Sequence, residues 1–116
     1  MSTYTPDFWR ILKIRFSSTD KVHYRVLATW SGSYTWGESW KISSGIEGFE
    51  DKEDHYISPQ TSGSTYRLNK TREGANGYLM SVYTDYYNQA VKQYGEGNFI
   101  FDLINAENFL KEYHEH

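Results

Sequence analysis

Four basic side chains crowd one short region of the chain. Lys13 and Arg15 precede the polar segment 17–21, and His23 and Arg25 follow it. If the two flanks pair as strands, in-phase pairing sets Arg15 opposite His23 and Lys13 opposite Arg25. Like charges facing each other across a strand pair are destabilising, so an anion belongs beside them. It could be a phosphate, a carboxylate or an acidic partner. It could equally be the chain's own acidic loop at residues 47–54, which carries Glu47, Glu50, Asp51 and Glu53. A second group has different chemistry. Tyr34 and Trp36 sit in a polar, glycine-bearing tip, SGSYTWGE, between Trp30 and Trp40. Exposed rings of this kind anchor contacts with a sugar, a base or a protein surface. The alternative is that they fold back on Trp30 and Trp40 as a plug over the core.

Other chemistries lack their residues. With no cysteine there is no disulfide framework, thiolate nucleophile or thiolate metal site. His23 and His55 are isolated, and His114 and His116 lie together at the C-terminus, short of a zinc ligand set. Ser31-Gly32-Ser33 and Ser43-Ser44-Gly45 lack the strand–turn–helix setting of a nucleophile elbow. The spacing of Gly74, Gly77, Gly95 and Gly97 matches no phosphate loop, and Glu50-Asp51 has no apolar pocket to raise a pKa. The expectation is a protein that is not an enzyme, with no cofactor and no metal.

Composition narrows the partners. A chain of 116 residues makes a single domain, 1–116, with a core that needs no staples. A net charge of -3 opposes broad binding to duplex nucleic acid, which requires a dominant positive field. No apolar run is long enough for a bilayer, and the start MSTYTPDFW has no signal-peptide pattern. A soluble, cytoplasmic protein is expected. A small anionic or carbohydrate ligand, or a protein, remains open as partner, as does a homo-oligomer.

The elements that would position these groups follow from periodicity. Residues 8–16 alternate, with Phe8, Leu12, Ile14 and Phe16 on the inner side together with Arg10, and Trp9, Ile11, Lys13 and Arg15 outward. Residues 22–30 repeat the pattern with Val22, Tyr24, Val26, Ala28 and Trp30 inward. Their hairpin would set Phe16 opposite Val22, Ile14 opposite Tyr24 and Leu12 opposite Val26. A third strand over 39–46 would place Trp40 opposite Trp30 and Ile42 opposite Ala28. Residues 55–58 and 65–68 read as a further short hairpin around the turn-rich 59–64. Over 77–94 the period becomes helical. Met80, Tyr83, Tyr87, Val91 and Tyr94 form a stripe flanked by Leu79, Val82, Tyr86 and Ala90, and Gly95 is the stop. Residues 98–104 are an apolar strand, and 105–113 a short helix or a frayed tail. The expected fold is α+β: a mostly antiparallel sheet with one long amphipathic helix on one face, in two layers.

Several short stretches also resemble a family of small proteins encoded by contractile-tailed cyanophages, for which no activity is known. They are Tyr4-Thr5-Pro6-Asp7 with Trp9, Trp30-Ser31-Gly32-Ser33-Tyr34, Gly37, Ser39-Trp40-Lys41 and Ser43-Ser44-Gly45-Ile46. The likeness covers mainly the first half and continues loosely through Tyr66 and Gly77-Tyr78-Leu79. It carries no site residues. It implies a viral accessory protein acting in an infected cell or carried on a particle. The combined expectation is a noncatalytic binding module that uses the aromatic tip and the basic hairpin face. A structural or oligomer-forming particle component, with contacts from the Tyr-rich helix or a sheet edge, is the runner-up. A small enzyme with a scattered site is the third reading.

Overall fold

The structure, a computed structural model, describes residues 3–17, 21–30, 39–74 and 77–114. The fold is α+β, with two sheets and two α-helices among the described residues. The central sheet runs β4-β3-β2-β8 and is antiparallel throughout. It contains β2 (Phe8–Phe16), β3 (Val22–Trp30), β4 (Ser39–Ile42) and β8 (Phe99–Ile104). The second sheet runs β1-β7-β6-β5, from β1 (Thr3–Tyr4), β5 (Glu50–Asp51), β6 (His55–Pro59) and β7 (Thr65–Asn69). Here β1 lies parallel to β7, and the other pairs are antiparallel. Helix α1 is Gly77–Tyr94 and α2 is Ala106–His114.

The central sheet is buried on both faces, which corrects the two-layer expectation. On one face Leu27 packs with Leu79 and Val82 of α1, joined by Phe8, Ile42, Tyr83, Tyr86 and Leu103. On the other, Trp9, Ile11, Val26 and Ala28 meet Tyr56, Tyr66 and Leu68 of the second sheet and Ala106 and Phe109 of α2. Trp9 and Ile11, expected outward, are fully buried. The indole of Trp9 donates to the Asn69 carbonyl at 2.8 Å and so ties the two sheets together.

The hairpin register differs by one residue from the expected one. Trp9 faces Ala28, Ile11 faces Val26, Lys13 faces Tyr24 and Arg15 faces Val22. A large ring opposite a small residue fits the space between the sheets. Both parities of β2 are apolar, so hydrophobic alternation alone does not select between the two registers. The same slip affects β4, where Trp40 faces Thr29 and Ser39 faces Trp30. The two tryptophans therefore sit on opposite faces. Trp30 lies against Tyr4, and Trp40, 41% exposed, lies edge-on to Tyr86 of α1.

The long helix has its expected bounds but is rotated. Its buried centre is Leu79 and Val82, the flank of the expected stripe, while Met80 (41%) and Tyr87 (36%) are exposed. Tyr87→Ala thus removes a partly exposed ring resting on Phe99, not a core residue. Gly95 stops the helix at φ +86°, with its N–H on the Val91 carbonyl. Only glycine takes this left-handed cap without strain. The terminal segment is a packed helix and not a tail. The Asn105 side chain caps it by accepting the Asn108 N–H at 2.7 Å. Phe109, fully buried, is ringed by Tyr24, Phe49 and Tyr113 at centroid distances of 5.0, 5.0 and 5.1 Å.

Candidate functional site

The one-residue slip separates the four basic residues. Lys13 and Arg15 share the face that meets α2, and His23 and Arg25 carry the opposite parity. The Lys13 ammonium donates to one Glu112 oxygen at 2.9 Å, and the Tyr24 hydroxyl donates to the other at 2.8 Å. This clamp holds α2 on the sheet. Burial, reinforced by Glu112, pushes the Tyr24 phenol up to about 12. Arg15 borders a separate shallow hollow with Ser17, Gly97, Phe99 and Ile100. Like charges do not face each other, so the expected pairings of Arg15 with His23 and Lys13 with Arg25 are replaced. Ion pairs of the acidic loop run elsewhere: Asp51 binds Lys70 at 2.6 Å and Glu50 binds Lys52 at 3.5 Å. Tyr34 and Trp36 lie outside the described residues; residues 31–38 join the paired ends Trp30 and Ser39.

What the fold assembles around Arg25 is a saddle. Beyond Ile42 the chain leaves β4 but stays beside β3. Ser43 N–H donates to the Val26 carbonyl and Ile46 N–H to the Tyr24 carbonyl, both at 2.9 Å. Between them Ser44 and Gly45 meet the 61–64 turn of the second sheet. Thr61 N–H donates to the Gly45 carbonyl and Ser62 N–H to the Ser44 hydroxyl oxygen, each at 3.0 Å. This strap bridges the two sheets and leaves a hollow on either side.

The first hollow, about 640 Å³, is bordered by Lys21, His23, Arg25, Ile46, Thr61 and Tyr113 among others. The second, about 340 Å³, is bordered by Tyr4, Arg25, Lys41, Ser43, Ser44, Ser62, Ser64 and Tyr66 among others. Arg25 and Ser44 belong to both. Among the described residues no Asp or Glu borders either hollow, although the chain has 15 acidic residues and only 12 Lys and Arg. Among the described residues no carboxylate pairs with Lys21, Arg25 or Lys41.

The hydrogen-bond roles point the same way. One Arg25 guanidinium nitrogen reaches the Ser43 carbonyl at a long 3.4 Å, out of five N–H donors the group possesses. Lys41 lies 3.0 Å from the Tyr4 hydroxyl and 4.4 Å above its ring. Ser43 and Ser44 each accept a backbone N–H on Oγ, which leaves the hydroxyl hydrogen to donate. The Tyr66 side chain is buried, and its hydroxyl has no hydrogen-bond partner among the described residues. Burial pushes it up to about 12, so it is a neutral phenol at ordinary pH. Cations and hydroxyl donors border the saddle with no opposing carboxylate among the described residues. The matching ligand group is an anion.

Of these residues, sequence reasoning had singled out His23 and Arg25. Lys41 and the serines were missed, and their one signal was the hydroxyl-rich composition of SSG and TSGS. Among the described residues, no cluster of three or more His, Cys, Asp or Glu is placed to hold a metal ion. No helix is long and apolar enough to cross a membrane. Compared with known proteins, the chain matches no described family, no curated protein and no solved structure.

Proposed function

We propose that this chain is a noncatalytic binding module that recognises an anionic group at the Arg25 saddle. The observation that carries this reading is that, among the described residues, Lys21, Arg25 and Lys41 border the two hollows and no Asp or Glu does, in a chain of net charge -3. The aromatic tip singled out in the sequence, Tyr34 and Trp36, is a second contact group under this reading and lies outside the described residues. The resemblance to cyanophage proteins supports a role in an infected cell or on a particle. A second reading, self-association, is favoured by the exposed rings of Trp40, Tyr87 and Tyr94 and by exposed Met80.

Anion binding to the folded state raises its stability by mass action. Low-millimolar inorganic phosphate should therefore raise the melting temperature above that in chloride at equal ionic strength. Arg25→Ala should lose the increment. Any general salting effect persists in the variant, so only the Arg25-dependent part counts. Equal melting curves for the parent in the two salts would contradict the proposal, and a concentration-dependent sedimentation or elution position would favour self-association.

A further inference from the structure

We infer that two copies of this chain pair edge to edge through β8, antiparallel about a two-fold axis, with Phe101 opposite Phe101 of the second copy. The inference rests on the self-association reading, to which it gives a surface, and is independent of the anion site. The central sheet ends at β4 on one side and at β8 on the other, and the saddle lies beside β3 and β4. An outer strand presents a row of N–H and C=O groups to any further strand, and shortness, Lys or Pro usually blunts it. Strands β1 and β5 have two residues each, and β4 has four, one of them Lys41. Strand β8 has six, Phe-Ile-Phe-Asp-Leu-Ile, with no Lys and no Pro. At the end of the β2–β8 ladder the Ser17 N–H donates to the Asn98 carbonyl at 3.0 Å. Bonded residues alternate along such a ladder, so Ile100 and Asp102 turn their backbone groups to β2. Phe99, Phe101 and Leu103 turn theirs outward. Among the described residues one group bonds to that outward row: the Tyr83 hydroxyl, which donates to the Phe101 carbonyl. The carbonyl keeps a second lone pair for another donor.

Two features make the occupant a second copy. Outward groups must meet outward groups, and the fullest overlap of the strand with itself sets Phe101 against Phe101, Phe99 against Leu103 and Ile100 against Asp102. The one charge on the strand then faces an isoleucine, so no like charges oppose each other. The same axis stands perpendicular to the sheet and keeps both α1 helices on one face. Tyr83 and Tyr87 of α1 rest on Phe101 and Phe99, and Met80 shares their side of the helix by its spacing. Met80 and Tyr87 are exposed in the single chain. Helical spacing marks this stripe for burial, yet it lies open beside an open strand edge. The α1 of the second copy covers it.

The test is amide hydrogen exchange of the isotope-labelled protein at about 10 µM and about 500 µM, with sedimentation equilibrium over the same range, since dimer formation follows mass action. The Phe99, Phe101 and Leu103 amides should gain about tenfold in protection at the higher concentration, and Ile100 and Asp102, already bonded to β2, should gain less. Ile100→Asp sets a carboxylate opposite Asp102 of the second copy and, by symmetry, does so twice. It should raise the dimer dissociation constant about tenfold, and adding Asp102→Lys should restore the parent's value. Circular dichroism establishes that each variant is folded; should one not fold, the exchange pattern of the parent decides alone. A monomer at both concentrations would overturn this inference and the self-association reading together. A dimer protected around Trp40 with unchanged β8 amides would overturn the pairing and leave self-association standing. So would a dimer that Ile100→Asp weakens and Asp102→Lys does not restore.

Discussion

Phe109→Ala should lower stability by about 3–5 kcal/mol, the usual cost of emptying a fully buried aromatic site. The ring lies where α2, β3 and the 43–49 segment meet, against Tyr24, Phe49 and Tyr113. Its loss opens a cavity that rigid neighbours on three sides cannot close. The clamp of Lys13 and Tyr24 on Glu112 would then hold a helix whose anchor is gone. Urea denaturation of the variant and of Tyr87→Ala gives the comparison. Tyr87, more than one third exposed, should cost far less. A Phe109 variant as stable as the parent would mean that the terminal helix is not part of the core.

Alkaline unfolding should be steep and should depend on Tyr66. Its phenol is raised from 10.0 to about 12 in the folded protein, chiefly by burial. The unfolded chain therefore loses its proton first as pH rises. Stability from this group is fully present below about pH 10 and is lost as pH rises through 12. A two-unit shift corresponds to about 3 kcal/mol at most. Tyr24, raised to about 12 by burial and then by Glu112, adds a smaller loss over the same window because its side chain is partly exposed. Lysines also titrate there, so the informative quantity is the difference between parent and Tyr66→Phe. The variant should lose less stability between pH 9 and pH 12. At neutral pH it should be as stable as the parent or more so, since it removes a buried hydroxyl with no partner. A variant that loses stability as steeply as the parent would place the alkaline transition elsewhere.

Much of the fold was legible because local signals agreed. The helix at Gly77–Tyr94 shows both a clear period and a glycine stop, and the His55–Pro59 and Thr65–Asn69 strands flank a turn-rich segment. Register was not legible. Apolar residues on both parities of Phe8–Phe16 mark a strand covered on both sides, and there a slip of one residue carries no hydrophobic penalty that the pattern reveals. Once the helix and the second sheet are in place, Trp9 opposite Ala28 fixes the choice. Strands β1 and β5 have two residues each, too few for any alternation to show. The rotation of α1 escaped for a related reason. Its tyrosines are apolar enough to extend the stripe, yet their hydroxyls favour the rim, so the aliphatic Leu79 and Val82 take the centre.

The site was legible only in part. Arg25 and His23 were singled out as part of the basic group flanking residues 17–21. The groups Arg25 meets come from separate parts of the chain: Lys41 and Ser44 after the third strand, and Ser62 and Ser64 in a turn of the other sheet. Their meeting depends on the strap, whose two defining hydrogen bonds join Gly45 to Thr61 and Ser44 to Ser62. Nothing in the periodicity of either segment signals those bonds. Conversely, the basic face that the sequence suggested dissolves once Lys13 is paired with Glu112.

The most direct measurement of the central claim is amide chemical-shift mapping as inorganic phosphate is titrated into the isotope-labelled protein at constant ionic strength. The account predicts saturable shifts at Arg25, Lys41, Ser44, Ser62 and Ser64, with little change along the outer face of α1. The same titration of Arg25→Ala should give no saturable response. Shifts scattered over the surface in proportion to ionic composition, or centred on Lys13 and Arg15 and unaffected by the Arg25 change, would contradict an anion site at the strap between the two sheets.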